Sequence, residues 1–254
     1  MIPGKRSIDT SVDAAVRAEL APGGRLRAAI NFGNAVLATE DPATGEARGL
    51  SVDLARELAR RLGLEPELVT YKGAGKVVEA IKAGAWDIAF LAIDPERAAE
   101  IDFTPPYVII EGAYLVREAS PLRDGSEVDR PGLRVATATG SAYDLFLTRE
   151  LKQATVLRAP GPLAVVDRFV AEGLDVAAGV RQQLEADAKR IPGLRLLPGR
   201  FMTIDQAMAL PKGRETGLAW LRAFIEEMKA SGFVAEALKR HQVECVAVAP
   251  PASP

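Results

Sequence analysis

Apolar residues follow helical spacing in some stretches of this chain and form short unbroken runs in others. In GLSVDLARELARRLG, leucines recur every four residues, which indicates a helix with one apolar face that ends at Gly63 and is capped by Ser51 or Asp53. The apolar run from Ile88 to Ile93 is typical of a strand buried on both faces of a parallel sheet. The alternation of these two patterns predicts an α/β fold.

Strand and helix patterns alternate twice along the chain, which indicates two α/β units built on parallel sheets with helical crossovers. The first unit has predicted strands at 26–30, 66–70 and 88–93 and predicted helices at 49–63 and 75–83. The second has strands at 133–138, 155–158, 175–179 and 194–197 and helices at 141–151, 162–172 and 181–190. A short helix is predicted at 12–20, a return strand at 207–210, and two further helices at 215–230 and 233–241.

The stretch WDIAFLAIDPERAAEIDFTPPY joins the buried strand to a predicted helix. Asp94 is placed to cap that helix, and Pro95 takes its first position, where a missing N–H costs least. Arg97 therefore projects from the first helical turn. Because open α/β sheets bind ligands where strands feed helix N-termini, and a guanidinium matches a carboxylate, Arg97 is a candidate anion-binding residue. A solvent-facing arginine paired with a nearby acid is the alternative interpretation.

The composition of the 254-residue chain argues against several classes of function. Lysine plus arginine (32) nearly balances aspartate plus glutamate (34), and no dense basic run occurs, so neither nucleic acid nor an anionic membrane surface is indicated as a partner. One cysteine, Cys245, and one histidine, His241, exclude an intramolecular disulfide and a Cys/His zinc cluster and argue against a Ser-His-Asp triad. We therefore predict no metal site, no cofactor and no catalytic residue.

Membrane insertion is not expected from the sequence. No apolar run reaches the roughly 18 residues of a membrane span, and the start of the chain, MIPGKRSIDT, lacks the apolar core of a signal peptide. If the protein is exported, this chain is expected to be its mature form. The alternative is a cytoplasmic protein.

Residues 87–107 also carry a resemblance to a known family. An Asp-Ile strand, an acid before Pro-Glu-Arg, then Asp-Phe-Thr and Pro-Tyr, resembles the central motif of the family 3 extracellular solute-binding proteins. Those proteins serve ABC importers, most often for amino acids. The resemblance implies a two-lobed type II periplasmic-binding-protein fold, a periplasmic location, a membrane permease as partner and a monomer. It further implies that Arg97 grips the carboxylate of the ligand.

The resembled fold implies a discontinuous first lobe. Lobe 1 is predicted at 25–111 and 208–245, and lobe 2 at 112–207, so that the chain crosses twice between them and forms a two-stranded hinge that closes around a ligand. Residues 1–24 are predicted to be an N-terminal extension. The proline-rich end, 246–254, is predicted to be disordered.

The resemblance also assigns ligand contacts on both lobes. In lobe 1 it implies Asn31 and Asn34 in the first loop and Ala92 before the arginine. In lobe 2 the turn Gly140-Ser141-Ala142-Tyr143 matches a family turn whose hydroxyl and amide groups meet the carboxylate from the opposite side, although Ala142 lacks the family's hydroxyl. Ser141 with Asp144 also fits a helix capping box, and both roles can coexist.

Two positions depart from the family pattern. Where typical amino-acid binders place acids for the ligand's ammonium group, this chain has Val180 and Asn31. Because a buried ammonium without an acidic partner is heavily penalised, we expect a small organic anion rather than an ordinary amino acid. Arg181 either faces the cleft as a second cation or faces solvent, and Phe90 either lies in the core or lines the cleft.

Two other functions remain open from the sequence. Cyclohexadienyl dehydratases resemble the same family and eliminate water and carbon dioxide from prephenate-like dicarboxylates, but that chemistry needs a general acid. Asp175 is predicted to be structural, and Glu185 lies a turn into a helix, so neither is a convincing acid. A cytoplasmic metabolite sensor is the third interpretation, and no helix-turn-helix or other output segment is evident for it.

Overall fold

The computed structural model describes residues 14–252. The helices are α1 Ala14–Leu20, α2 Leu50–Leu62, α3 Ala74–Glu79, α4 Ala142–Glu150, α5 Val165–Ala171, α6 Arg181–Arg190, α7 Glu215–Ala230 and α8 Phe233–Arg240. The strands are β1 Leu26–Asn31, β2 Thr39–Glu40, β3 Ala47–Arg48, β4 Pro66–Tyr71, β5 Ile88–Ala92, β6 Ile101–Arg117, β7 Arg134–Ala138, β8 Thr155–Ala159, β9 Val176–Val180, β10 Leu194–Leu196, β11 Met202–Pro211 and β12 Ala247–Val248.

The strands form one continuous path through two lobes, in the order β4-β1-β5-β11-β6-β9-β7-β8. In lobe 1, β1 pairs in parallel with β4 and with β5; in lobe 2, β7 pairs in parallel with β8 and with β9. Every residue of β5 is buried, as the unbroken apolar run predicts. The predicted α/β fold, with mostly parallel sheets and flanking helices, is confirmed.

Two long antiparallel strands, β6 and β11, connect the lobes. One end of β6 pairs with the end of β11 near Pro211, and the stretch from Gly112 to Leu115 pairs with β9 of lobe 2. The lobe boundaries predicted at 111/112 and 207/208 both fall inside this pair of strands. Because a continuous strand transmits bending rather than sliding, β6 and β11 are positioned to act as the hinge.

An arginine–aspartate clamp recurs at the same place in each lobe. In lobe 1, Asp87, just before β5, accepts hydrogen bonds from the backbone N–H of Arg27 at 3.1 Å and from its side chain at 3.0 and 2.8 Å. In lobe 2, Asp175, just before β9, accepts from the N–H of Arg134 at 2.9 Å and from its side chain at 3.2 Å. Each clamp ties the start of one strand to the start of its parallel neighbour.

The predicted side-chain cap of α2 is wrong. The helix begins after Gly49, which has a φ of 127° and lies so close to Leu37 that an added Cβ would stand 2.4 Å from the Leu37 carbonyl oxygen. Neither Ser51 nor Asp53 caps the helix. Asp53 instead accepts a hydrogen bond from Arg240 at 2.7 Å and lies 2.8 Å from Nε2 of His241, so it joins α2 to the end of α8.

The ends of the chain are more integrated than the sequence predicts. Helix α1 packs on α7, and Glu19 accepts a hydrogen bond from the N–H of Gly217 at 2.6 Å. Residues 12 and 13 of the predicted helix lie outside the described range.

The prediction of a disordered tail is wrong for residues 246–252. There β12 pairs with β6, and Ala249 is buried and donates to the carbonyl of Tyr107 at 3.0 Å. Residues 253–254 lie outside the described range.

We expect Asp87→Asn to destabilise the protein more than Asp175→Asn. The carboxylate of Asp87 is fully buried, whereas 34% of the Asp175 side chain is exposed. Breaking a buried ion pair costs about 3 kcal/mol, and losing an exposed pair costs about 1 kcal/mol or less. Urea unfolding of the two variants tests the difference, and equal losses of unfolding free energy would refute it.

Candidate functional site

Arg97 lies at the junction between β5 and β6. The helix predicted after Asp94 is wrong in length, because the chain makes only a 3₁₀ turn, Arg97–Ala99, before β6 begins at Ile101. Asp94 nevertheless organises the turn, since its carboxylate accepts from the N–H of Glu96 at 2.9 Å and its carbonyl accepts from Ala98. With so short a turn, the guanidinium rather than a helix dipole supplies the positive charge.

Arg97 is only 3% exposed, and its side chain spans the cleft between the lobes. Its Nη1 donates to the carbonyl of Ala92 at 2.9 Å, and its Nη2 donates to the carbonyl of Gly140, in lobe 2, at 2.9 Å. Its Nε is buried and has no hydrogen-bond partner among the described residues. Arg97 therefore joins the lobes and keeps one donor that the protein itself does not satisfy.

The charge of Arg97 is retained at neutral pH despite its burial. Loss of hydration lowers the pKa of Arg97 to about 10, while the carboxylates of Asp94 and Glu96 act in the opposite direction. Those two acids are also bound across the cleft by Arg149 of α4, at 2.9 Å to Asp94 and 3.2 Å to Glu96. An anion that reaches Arg97 thus meets a cation whose nearest acids are already paired.

The opposing wall is the turn that starts α4. Ser141 caps the helix by accepting from the N–H of Asp144 at 3.0 Å, as predicted, and the Asp144 carboxylate accepts from the N–H of Gly140 at 2.9 Å. The N–H of Ser141 is bonded to the carbonyl of Ala138. Of the turn's backbone donors, this leaves the amides of Ala142 and Tyr143, because the first amides of a helix have no intrahelical acceptor.

A narrow cavity of 40 Å³ lies between these walls, and we call it the inner chamber. It brings together all the predicted ligand-contacting residues except Arg181, namely Asn31, Asn34, Ala92, Arg97, Ser141, Ala142 and Tyr143. Further lining residues are Gly33, Ala74, Phe90, Leu91, Pro162, Val180, Ile204 and Gln206. Phe90, left open by the sequence, lines the chamber and packs edge-to-face on Tyr107.

Arg181 does not line the inner chamber. Its Nε donates to the carboxylate of Glu111 at 2.8 Å, and its Nη2 donates to the carbonyl of Gly199. Glu111 is also bound by Arg200 at 2.8 Å, so the two guanidinium groups share one carboxylate on strand β6. The sequence left open whether Arg181 faces the cleft or solvent. In this structure Arg181 is bonded to strand β6 and braces the hinge.

The inner chamber offers hydrogen-bond donors and no negative charge. Asn31 uses its Oδ1 to accept from the N–H of Gly33 at 2.9 Å, which leaves its Nδ2 donor for a ligand. Within the described chain, no carboxylate, histidine or lysine lines this chamber. Tyr143 is buried there, and burial raises the pKa of its hydroxyl, so the phenol is neutral at physiological pH. Such a site is suited to an anionic group.

Two glycines, Gly75 and Gly140, bring the lobes close together; the sequence identified Gly140 only as part of the turn before α4 and did not single out Gly75. Gly140 has a φ of 68°, and a Cβ there would lie 2.8 Å from the Cα of Gly75 in α3. A Cβ on Gly75 would lie 3.1 Å from the carbonyl oxygen of Thr139. The available signal was Gly75 itself, at the start of a predicted helix. Glycine destabilises a helix, so its presence there indicates that close packing leaves no room for a side chain. The lobes are thus in backbone contact.

Two classes of site find no support in the part of the chain that the structure covers. Between residues 14 and 252, no three His, Cys, Asp or Glu side chains converge as metal ligands. None of the helices in that range combines the length and apolar character required to cross a membrane.

The fold agrees with comparisons to known proteins. Residues 35–244 match the bacterial extracellular solute-binding proteins, family 3, and the chain belongs to that family. The glutamine-binding protein of Geobacillus stearothermophilus is 24% identical over 202 residues, covering 78% of this chain and 77% of that protein. The resemblance noted in the sequence is therefore confirmed.

Other relatives differ in activity. The membrane-bound lytic murein transglycosylase F of Idiomarina loihiensis is 24% identical over 202 residues, which cover 76% of this chain but only 44% of that protein. Among solved structures, the ancestral amino-acid-binding protein AncCDT-1, a precursor of cyclohexadienyl dehydratase, superposes with a TM-score of 0.73 at 22% identity, covering 87% of this chain and 97% of that one. Binding proteins and enzyme-related proteins thus share this fold.

We expect Gly75→Leu to hold the lobes apart without weakening the fold. Leucine is the better helix former, by roughly 0.5–1 kcal/mol, but its Cβ would meet Thr139 and Gly140 across the cleft. Small-angle scattering should therefore give a larger radius of gyration than for the wild type, with an unchanged or higher melting temperature. The control is Gly23→Leu, where nothing lies within 4 Å of the added Cβ. An unchanged radius for Gly75→Leu would contradict the expectation.

Proposed function

We propose that this protein binds a small carboxylate-bearing solute between its two lobes and presents it to the membrane permease of an ABC importer. The observation that carries the proposal is the buried Arg97, which lines a chamber free of carboxylates and whose Nε donor is unsatisfied by the described residues. Leaving a buried charged donor unpaired is costly, and a ligand carboxylate removes that cost. Membership of the solute-binding family supports the same role.

Ligand binding would stabilise the closed arrangement of the lobes. Arg97 and Asn31 belong to lobe 1, whereas Ser141, Ala142 and Tyr143 belong to lobe 2, and all five line the inner chamber. A carboxylate can therefore contact both lobes only when they are together, so its affinity is greater for the closed state. In an importer, the permease would recognise that closed state, and the protein would work as a monomer in the periplasm.

The ligand class follows from what surrounds the carboxylate site. Relatives include a glutamine-binding protein, which supports an amino-acid-like solute. The inner chamber, however, has Val180 and Asn31 where acids are expected for an ammonium group, and Asn31 turns a donor toward it. Burying an ammonium beside these groups is unfavourable. We therefore favour an organic acid, or an amino acid whose ammonium lies outside the inner chamber.

A dehydratase-like enzyme is the second candidate, because a precursor of cyclohexadienyl dehydratase has the same fold. Elimination needs a general acid, and the described residues lining the inner chamber offer only the phenol of Tyr143, whose pKa is raised by burial. A phenol with a raised pKa is a weak proton donor near neutral pH. Incubation with prephenate followed by product detection distinguishes the two functions, and turnover would favour the enzyme.

We expect Arg97→Ala to weaken carboxylate binding by about ten- to a hundredfold, since a charge-assisted hydrogen bond contributes roughly 1.5–3 kcal/mol. A thermal-shift screen of amino acids, monocarboxylates and dicarboxylates selects the ligand, and calorimetric titration then gives the affinity. Arg97→Lys should recover only part of the loss, because an ammonium lacks the planar fork.

The matched control is Arg60→Ala. Arg60 is exposed and pairs with Glu57 on the surface of α2, so its loss should leave affinity unchanged. Wild-type affinity in Arg97→Ala would refute the proposed function.

A further inference from the structure

A second, larger cavity adjoins the inner chamber on one side, and we call it the outer chamber. It has a volume of 240 Å³ and shares Gly33, Asn34, Tyr143, Pro162 and Val180 with the inner chamber. Its other walls are largely apolar, with Val36, Val165, Ala178, Leu184 and Val243. A ligand anchored at Arg97 can therefore extend past Val180 into the outer chamber and bury an apolar body there.

The groove on the opposite side of Arg97 is less suitable. It is larger, at 620 Å³, but charged side chains line it, including Lys76, Glu79, Lys82, Glu96 and Glu100. It shares only Arg97 with the inner chamber, and Gly75 and Gly140, whose backbones approach each other, line the groove but not the inner chamber. The body of a ligand bound at Arg97 is thus directed to the outer chamber.

Gln182 lines the outer chamber and has an unsatisfied acceptor atom. Its Nε2 donates to the carbonyls of Cys245 at 3.0 Å and of Glu244 at 3.4 Å. These two carbonyls require a donor, so they fix which end of the amide faces them. The remaining atom, Oε1, is buried and finds no partner within residues 14–252. A buried acceptor without a partner is rare and calls for an explanation.

Asn34 supplies another such acceptor where the chambers meet. Its Oδ1 is buried and likewise unpartnered within the described range, and the residue lines both chambers. Hydrogen-bond donors at Arg97 and Asn31 are thus followed along the cleft by acceptors, the amide oxygens of Asn34 and Gln182. A complementary ligand carries an acceptor at the end that meets Arg97 and a donor farther along, near Gln182.

We propose that the outer chamber recognises an uncharged N–H or O–H group on the distal part of the ligand, and that Gln182 determines this specificity. The preferred solutes are then carboxylates with an apolar segment followed by an amide or hydroxyl donor. This proposal rests on the proposed carboxylate site at Arg97.

The acceptors favour a neutral donor over an ammonium. Amide oxygens carry no net charge, and a buried cation needs an acid. Among described residues lining the outer chamber, Glu244 alone has a carboxylate, and Glu244 is exposed; the ring of His241 is engaged with Asp53. A neutral donor satisfies Gln182 without that penalty.

The test compares probes that differ by one group. N-acetyl-δ-aminovalerate and shorter and longer homologues present a carboxylate and a distal amide N–H. Their ketone analogues replace that N–H by a methylene, and δ-aminovalerate presents an ammonium instead. Calorimetric titration should show, at the best chain length, about tenfold tighter binding of the amide than of its ketone analogue. The difference should fall below about threefold in Gln182→Met.

Two variants keep the test specific to Gln182. Gln183→Met changes another residue of the same chamber, whose Nε2 is bonded to Asp187 at 3.1 Å, and should keep the amide preference. Gln182→Glu provides a charged acceptor and should shift the preference toward δ-aminovalerate. Circular dichroism and melting temperatures establish that each variant is folded.

The outcomes separate the two proposals. Equal affinities for amide and ketone in the wild type would overturn the role of Gln182 while leaving the carboxylate site intact. Tighter binding of δ-aminovalerate than of the amide would overturn the preference for a neutral donor. If no carboxylate probe binds and Arg97→Ala changes nothing, both the proposed function and the inference built on it fail.

Discussion

The buried guanidinium of Arg97 is the constraint on which the cleft depends. A cation in this position cannot be left without partners, because its desolvation costs several kcal/mol. One carbonyl from each lobe, those of Ala92 and Gly140, meets that need, and Asp94 and Glu96 lower the cost through their charge. The same residue therefore joins the lobes, and under the proposed function it would also bind the ligand's carboxylate, which would couple closure to ligand charge.

The arginine–aspartate clamps and the cleft lie at opposite ends of the parallel strands. The arginine–aspartate clamps at Asp87 and Asp175 stand at the starts of β5 and β9, where they lock neighbouring strands in register. The cleft residues Ala92 and Val180 are the last residues of the same two strands. Because the clamps fix the starts of these strands, the ends that reach the cleft are positioned without supplying those stabilising contacts themselves.

Local patterns in the sequence correctly predicted helix ends and caps that depend on neighbouring residues. The limits of α6 and α7, the end of α2 at Gly63 and the cap at Ser141 all depend on residues within a few positions of each other. Contacts between distant segments were missed: Asp53 bonds to α8 rather than capping α2, and the tail around Ala249 adds to β6. The periodicity of apolar residues carries no information about such partners. The family resemblance predicts only those contacts that relatives have in common.

The residues of the candidate site divide in the same way, into those with a local signal in the sequence and those without one. Arg97 was predicted to be a site residue because its motif and its strand-end position agree, and the structure places it in the cleft. Gln182 had no signal in the sequence, being one polar residue in the first turn of a polar helix. Its importance appears only when the carbonyl of Cys245, 63 residues later, orients its amide. The bond between Gln182 and Cys245 joins lobe 2 to the segment after α8 of lobe 1, as the bond between Arg97 and Gly140 joins the lobes at the other end. A ligand with both a carboxylate and a distal donor would engage both inter-lobe links. It would therefore favour closure more than a carboxylate alone, since only differential contacts shift the equilibrium.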